Sequence, residues 1–157
     1  MNRVASTGPH GLPWKIAVAD HLELFNASYE RIHDAQFFER FYERFLEKSE
    51  EVAKKFANTD LRRQRRMLRG SMLLLLSVYM RHRSEELEQL ALKHGPAELA
   101  IPPALFDDWL EALIETVEEC DPRADKETQS AWRVVFAPGV AFMKSRAVPP
   151  PATPPAS

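Results

Sequence analysis

Apolar residues recur along most of this chain at spacings of three and four, and no stretch of useful length alternates between apolar and polar residues. Spacings of three and four place side chains on one face of an α-helix, whereas strict alternation indicates a strand. We therefore predict an all-α fold. In chain order, helices are predicted from about Trp14, from about Asp34, over Glu50–Phe56, over Leu61–Met80, up to His94, over Ala104–Glu119 and from about Lys126 to Arg146. Asp34 and Ser84 are candidate N-caps of the second and fifth of these helices.

A histidine stands on the apolar face of the fifth predicted helix, within the segment LEQLALKHGPAELAIPPALF. This face consists of the residues at i, i+3, i+4 and i+7, namely Leu87, Leu90, Ala91 and His94. A glycine and a proline follow directly and end the helix. A neutral imidazole held at this point can bind iron. It can also be a core histidine that is hydrogen-bonded to a carbonyl, and the segment alone favours that interpretation.

Two further polar residues lie on predicted apolar faces. Tyr42 comes one turn after Phe38 and one turn before Leu46. Its buried hydroxyl needs a partner, and for such a tyrosine taken alone a backbone hydrogen bond is the commoner arrangement. Gln64 lies on the side of its helix opposite the arginines, where an unpaired amide costs roughly 1–3 kcal/mol. Some polar group must therefore meet Gln64 in the interior. Phe56 ends a short helical turn, where a lone phenylalanine usually fills the core.

The bulk properties exclude several classes of function. The chain has 157 residues, which suits one domain, and its net charge of −2 implies no general attraction to nucleic acids or anionic lipids. The longest nearly continuous apolar run, Met72–Met80, falls short of the ~20 residues that a membrane span needs. We interpret the arginine stripe of the fourth helix as a solvated face, because no aromatic residues are interleaved with it. This stripe comprises Arg62, Arg65, Arg66 and Arg69. Beyond Ser71 the same helix is apolar nearly all round, so we expect its second half to be central to the core.

The ends of the chain and its cysteine content bear on organisation and location. Residues 1–13 are expected to form a disordered arm, 14–146 the folded domain, and 147–157 a disordered, proline-rich tail. Cys120 is the single cysteine, so no intrachain disulfide can form. This fits a reducing compartment, and no signal-peptide pattern opens the chain, so we expect a cytoplasmic protein.

Five segments of the chain, in order, resemble globins, in particular the single-domain bacterial members related to flavohaemoglobins and globin-coupled sensors. The resemblance covers about residues 20–146. FFERFYERFLEK, which contains Tyr42, is similar to the second globin helix. VAKKF, which ends at Phe56, is similar to the corner whose phenylalanine stacks on haem. QRRMLRGSM resembles the distal helix, LALKHG the segment with the proximal ligand, and AWRVVF the start of the last helix.

The resemblance implies a globin-like fold of six to eight helices around a haem b group. His94 would bind the iron on the proximal side, while Tyr42 and Gln64 would donate hydrogen bonds to a small ligand on the distal side. The implied function is reversible binding of dioxygen, with NO and CO as further ligands. The other side chains implied as cofactor contacts are Phe56, Leu68, Leu90 and Trp109.

Departures from the flavohaemoglobin pattern leave other functions open. There is no reductase domain, so a nitric oxide dioxygenase would need an external reductase. Phe106 stands where flavohaemoglobins have a tyrosine near the proximal histidine, and their glutamate has no convincing counterpart. No output domain follows residue 146, so a sensor would need a signalling partner. A helical interaction domain, in which the three polar residues belong only to the core, is the third possibility.

Overall fold

The computed structural model describes residues 13–148, with side chains described from residue 21 onward. The predicted arm (1–13) and tail (147–157) therefore lie outside the described residues, except at their inner ends, where Pro13 begins the first helix and Ala147 ends the last. No strand occurs within residues 13–148, and the all-α prediction is confirmed with seven helices. These are α1 (Pro13–Ile32), α2 (Ala35–Leu46), α3 (Glu50–Lys55), α4 (Leu61–Tyr79), α5 (Glu85–His94), α6 (Pro103–Cys120) and α7 (Lys126–Ala147).

Short polar side chains begin most of the helices at the predicted positions. Asp34 accepts a hydrogen bond from the amide of Phe37 and so caps α2, and Ser84 accepts one from the amide of Leu87 at the start of α5. The start of α6 is different, because Pro103 occupies its first turn, where the missing N–H costs nothing. The beginnings of these helices are therefore encoded locally in the sequence.

The core is built on α7, which packs against α1, α4, α5 and α6, while α2 lies on α6. Four large aromatic side chains at its centre are less than 2% exposed, namely Trp132, Phe37, Phe41 and Phe136. None of the helices within residues 13–148 is both long and apolar enough to cross a membrane.

The crossing of α4 and α7 depends on Gly139. A methyl group at this position would lie 2.6 Å from the carbonyl oxygen of Leu75 and 2.9 Å from its Cα atom. The two backbones can therefore approach this closely only because residue 139 has no side chain. Pro138 immediately precedes the contact and lies within α7, which continues to Ala147.

One expectation about α4 is wrong for part of the helix. Its second half is apolar nearly all round in sequence, which predicted a helix surrounded by core. In the structure Leu73 is 60% exposed and Met80 is 59% exposed, whereas Met72 and Leu75 are buried. The second half of α4 is thus buried on one face and partly covered beside it, where Leu74, Leu76 and Val78 pack against the core, while the side that carries Leu73 is open.

A buried polar network joins α1 to the corner between α6 and α7. The indole Nε1 of Trp132 donates to Ser28 Oγ at 2.9 Å, and Ser28 Oγ donates to Asp121 Oδ2 at 2.6 Å. Arg31 adds two hydrogen bonds of 2.8 Å to the same carboxylate. Ser28 and Trp132 are fully buried and Asp121 is 3% exposed, so each of these polar groups needs the partner it has.

Candidate haem site

His94 is the last residue of α5, and its ring is fixed by its own helix. Nδ1 lies 2.8 Å from the carbonyl oxygen of Leu90, one turn earlier. Since a carbonyl can only accept, Nδ1 carries the hydrogen and donates it. In the neutral ring this leaves a lone pair on Nε2, at the opposite side of the imidazole. Sequence analysis considered a hydrogen bond to a carbonyl as the role of a core histidine. That bond occupies only one ring nitrogen and leaves the other able to bind a metal.

Burial keeps this imidazole neutral. Desolvation lowers the pKa of His94 below its ordinary value of 6.5, and the nearby charge of Lys93 lowers it further. The hydrogen bond to Leu90 acts in the opposite direction but does not outweigh burial. His94 is thus uncharged at neutral pH, which is the state in which an imidazole binds metals.

The segment after His94 holds the end of α5 in place. The amide of Ile101 donates to the carbonyl of His94 at 3.0 Å, and the amide of Leu99 donates to the carbonyl of Lys93 at 3.1 Å. Phe106 lies beside the imidazole, with ring centroids 6.4 Å apart. The position of His94 is therefore determined by α5, by the α5–α6 loop and by the first turns of α6.

Tyr42 and Gln64, predicted as the distal pair, are in direct contact. The hydroxyl of Tyr42 donates to the backbone carbonyl of Gln64 at 3.2 Å, and Tyr42 is only 6% exposed. Burial raises the pKa of Tyr42 well above its ordinary value, so the hydroxyl keeps its proton. An O–H···O bond is usually 2.5–3.0 Å long, so this one is weak and can be exchanged at small cost.

The side chain of Gln64 is half buried on α4. Within the described part of the chain, no residue forms a hydrogen bond with its amide group. The expectation that Gln64 needs a polar partner in the interior is therefore corrected, because the side chain is only half buried and water can meet its amide. A ligand in the site could accept a hydrogen bond from the amide in place of water.

The predicted apolar contacts fall into two groups that α6 connects. Phe56 lies on the Tyr42 side, with ring centroids 5.9 Å apart, and Leu90 supplies the carbonyl that orients His94. Trp109 lies one turn after Phe106 on α6, and its ring is 5.7 Å from that of Phe41, the neighbour of Tyr42. α6 therefore runs from the imidazole at Phe106 to the aromatic cluster around Tyr42.

The predicted cofactor contacts differ in how far the protein covers them. Leu68 is 3% exposed and belongs to the core. Most of the other candidate contacts are apolar or aromatic side chains that pack against the core but are only partly covered, namely Phe56, Leu90, His94, Phe106 and Trp109. Partly covered apolar side chains on neighbouring helices are typical of residues that line a ligand site.

The donor set fits iron in a macrocycle better than a bare metal ion. Within the described residues, no three His, Cys, Asp or Glu side chains come together as metal ligands. His94 would thus be a single protein ligand, which suits a haem whose porphyrin supplies four nitrogens. With its free Nε2 lone pair and the partly covered aromatic residues around it, the site fits haem.

Sequence reasoning considered a backbone carbonyl as the partner of both His94 and Tyr42 but did not identify which carbonyl. The carbonyls of Leu90 and Gln64 give His94 and Tyr42 their directions, and no side-chain pattern reveals a carbonyl. It also treated Phe106 only as a departure from a family pattern, whereas the structure places its ring beside the imidazole. Its position twelve residues after His94 was the available signal.

Comparison with known proteins identifies the family. No family model and no curated protein matches this chain. A crystal structure of a Pseudomonas aeruginosa PAO1 protein, described as structurally highly homologous to human hemoglobin, matches it with a TM-score of 0.74 and 38% sequence identity. The match covers 81% of this chain and 98% of that one. The chain belongs to the globin superfamily. The globin fold predicted from its five segments is thereby confirmed, and globin homology suggests a haem cofactor.

Proposed function

We propose that this globin holds haem b through Nε2 of His94 and binds dioxygen reversibly, with NO and CO as alternative ligands. The observation that carries the proposal is the 2.8 Å hydrogen bond from Nδ1 of His94 to the Leu90 carbonyl, which leaves Nε2 as the free donor atom. When bound, the haem supplies the iron to which a diatomic gas is attached. With a single cysteine in the chain, we propose the cytoplasm as its location.

The proximal contacts favour reversible binding over peroxide chemistry. The acceptor for Nδ1 of His94 is a neutral carbonyl rather than a carboxylate, so the imidazole keeps its proton and remains a moderate electron donor. Phe106, the ring beside it, has no hydrogen-bonding group to change this. A stronger donor, such as a thiolate, is what favours cleavage of an O–O bond.

The distal residues supply hydrogen bonds to a ligand that gains negative charge. The hydroxyl of Tyr42 keeps its proton and gives up only a 3.2 Å bond to the Gln64 carbonyl when it turns to a ligand. The amide of Gln64 has no partner within residues 13–148 that it would have to leave. A hydrogen bond to a charged group contributes roughly 1.5–3 kcal/mol, so each residue should slow ligand loss about tenfold or more.

The dissociation rate of oxygen tests this function. In stopped-flow displacement of oxygen by CO from the ferrous protein, Tyr42→Phe is expected to raise the dissociation rate about tenfold, because the ligand loses a charge-assisted hydrogen bond. Gln64→Leu should raise it similarly. Tyr29→Phe is the matched control, since Tyr29 lies on α1 in contact with His33 and Trp132. A wild-type rate in the Tyr42 variant would remove Tyr42 from the ligand site.

A further inference from the structure

A continuous row of aromatic rings runs from the candidate haem site to the protein surface. The ring centroid of Phe136 lies 5.9 Å from that of Trp109 and 5.9 Å from that of Trp132, so the two indoles are at most twice this distance apart. Trp132 is 6.4 Å from Tyr29, which stacks on His33 at 5.3 Å. Trp109 is a predicted haem contact, Trp132 is fully buried and His33 is exposed.

We propose that Trp109, Trp132 and Tyr29 form a relay that passes single electrons from the surface near His33 to the candidate haem site. Indole and phenol are the aromatic side chains that give up one electron most easily, whereas a phenyl ring keeps its electrons under the same conditions. Phe136 would therefore fill the gap between the two indoles without being oxidised itself. The use of the relay rests on the proposed haem function, but the path consists only of side chains of this chain.

Trp132 is equipped to lose and regain an electron without losing its proton. Its Nε1–H donates to Ser28 Oγ at 2.9 Å, and Ser28 in turn donates to the carboxylate of Asp121 at 2.6 Å. Oxidation makes the indole N–H more acidic and gives the ring a positive charge. The hydrogen bonds through Ser28 to the Asp121 carboxylate can stabilise this charge. The proton stays on Nε1 throughout, held in the hydrogen bond to Ser28 Oγ. Buried Trp132 can thus act as an intermediate electron carrier between Trp109 and Tyr29.

Tyr29 is a better terminal electron donor than Tyr42. A phenol that loses an electron must also release its hydroxyl proton. The hydroxyl of Tyr42 is buried and bonded to an amide carbonyl, which is too weak a base to take that proton. Tyr29 is only partly buried, so water can accept its proton. Oxidation that begins at Trp109 should therefore end at Tyr29, although Tyr42 lies near Trp109 through Phe41.

The relay supplies electrons when hydrogen peroxide reacts at the candidate site, and it thereby protects the site from oxidation. One peroxide takes up two electrons and two protons, its O–O bond breaks and two waters form. Each electron comes from Tyr29, whose O–H bond breaks as the proton passes to water, leaving a phenoxyl radical. A phenolic reductant at the surface then gives one hydrogen atom to each phenoxyl radical. Two molecules of this reductant are thus oxidised for each peroxide, and the candidate site itself is spared.

Pulse radiolysis with azide radicals tests the path in the full-length chain, with or without haem. Each azide radical takes one electron from an accessible indole and becomes azide. All samples carry Trp14→Phe, so Trp109 and Trp132 are the remaining indoles of the three in the chain. The measured signals are the decay of the indolyl radical and the rise of a phenoxyl radical. The radical site is then located by mass spectrometry of a nitroso spin-trap adduct.

The relay predicts an intramolecular conversion of indolyl to phenoxyl radical, with the adduct on Tyr29. Tyr29→Phe, which removes only a hydroxyl, should abolish this adduct, while Tyr42→Phe should leave it unchanged. Trp132→Phe should also abolish it in samples that keep the wild-type circular dichroism. Three results would each overturn the proposal: an indolyl radical that decays without forming phenoxyl, an adduct on Tyr42 alone, or an undiminished Tyr29 adduct in folded Trp132→Phe. Because none of these readouts requires haem, a failure of haem binding remains a separate result.

Discussion

At the scale of single residues, two backbone carbonyls decide what the candidate site can do. The Leu90 carbonyl takes the hydrogen of Nδ1 in His94 and so directs the lone pair of Nε2 away from α5. The Gln64 carbonyl accepts the hydroxyl of Tyr42 and holds the phenol next to α4. The sequence places His94, Tyr42 and Gln64 on apolar faces, but their directions depend on main-chain atoms that every residue type carries. The choice of donor atom was therefore beyond sequence reasoning.

Asp121 makes the stability of this globin sensitive to acid. Burial acts to raise the pKa of its carboxyl group, but hydrogen bonds from Arg31 and Ser28 outweigh burial and lower the pKa from 3.8 to about 2. A carboxylate with a depressed folded-state pKa stabilises the fold above its unfolded pKa. We therefore expect about 2 kcal/mol of stability to be lost as the pH falls from about 4 to about 2.

Urea unfolding at a series of pH values measures this contribution. Asp121→Asn should be less stable than the wild type at neutral pH and should lose less stability across the acid range. Asp107→Asn is the control, because Asp107 pairs with Lys144 on the surface, where its side chain is 57% exposed and such pairs contribute little. Parallel curves for wild type and Asp121→Asn would show that the buried network does not cause the acid sensitivity.

At the scale of helices, local sequence signals were sufficient to predict that each helix exists and where it begins. They were insufficient to predict which of its faces are buried. Asp34 and Ser84 were predicted as caps and do cap α2 and α5, because an N-cap depends on a side chain and amides only a few residues away. The environment of α4 was predicted wrongly at Leu73 and Met80, both mostly exposed. Which side of an apolar helix is covered depends on distant helices, and periodicity within α4 does not contain that information.

Two glycines on crossing helices provide a matched pair of substitutions. Gly139→Ala places a methyl group 2.6 Å from the Leu75 carbonyl oxygen, so α4 and α7 must move apart, and we expect a loss of about 1–3 kcal/mol or more. Gly70 lies within α4 with no atom within 4 Å of its added methyl group, so Gly70→Ala should stabilise by about 0.5–1 kcal/mol.

Chemical denaturation monitored by circular dichroism compares the two variants. From most to least stable, the expected order is Gly70→Ala, wild type and Gly139→Ala. The added methyl group meets open space at residue 70 and the backbone of Leu75 at residue 139. Equal stabilities for the two alanine variants would mean that the close approach of α7 to Leu75 does not limit the packing.

At the scale of the whole molecule, the fold was predictable while the assembled site was only partly so. Similarity to globins in five segments, which follow the order of the family, sufficed to predict a globin fold. The match to a structure described as homologous to hemoglobin, over 98% of that chain, confirms the prediction. The structure brings Tyr42 to Gln64 and Phe106 to His94, and it connects the two groups through α6. The role of α6 as a bridge arises from how seven helices pack, and so no single segment of sequence reveals it.

The most direct test of the account is the absorption spectrum of the purified full-length chain during titration with hemin. Iron held by Nε2 of His94 predicts a sharp Soret band that saturates at one haem per chain. His94→Ala should lose most of this band and recover it when free imidazole is added, since imidazole can replace the missing ring. Iron binding by His94 is contradicted if the folded wild-type chain stays colourless with hemin, or if His94→Ala gives the wild-type spectrum.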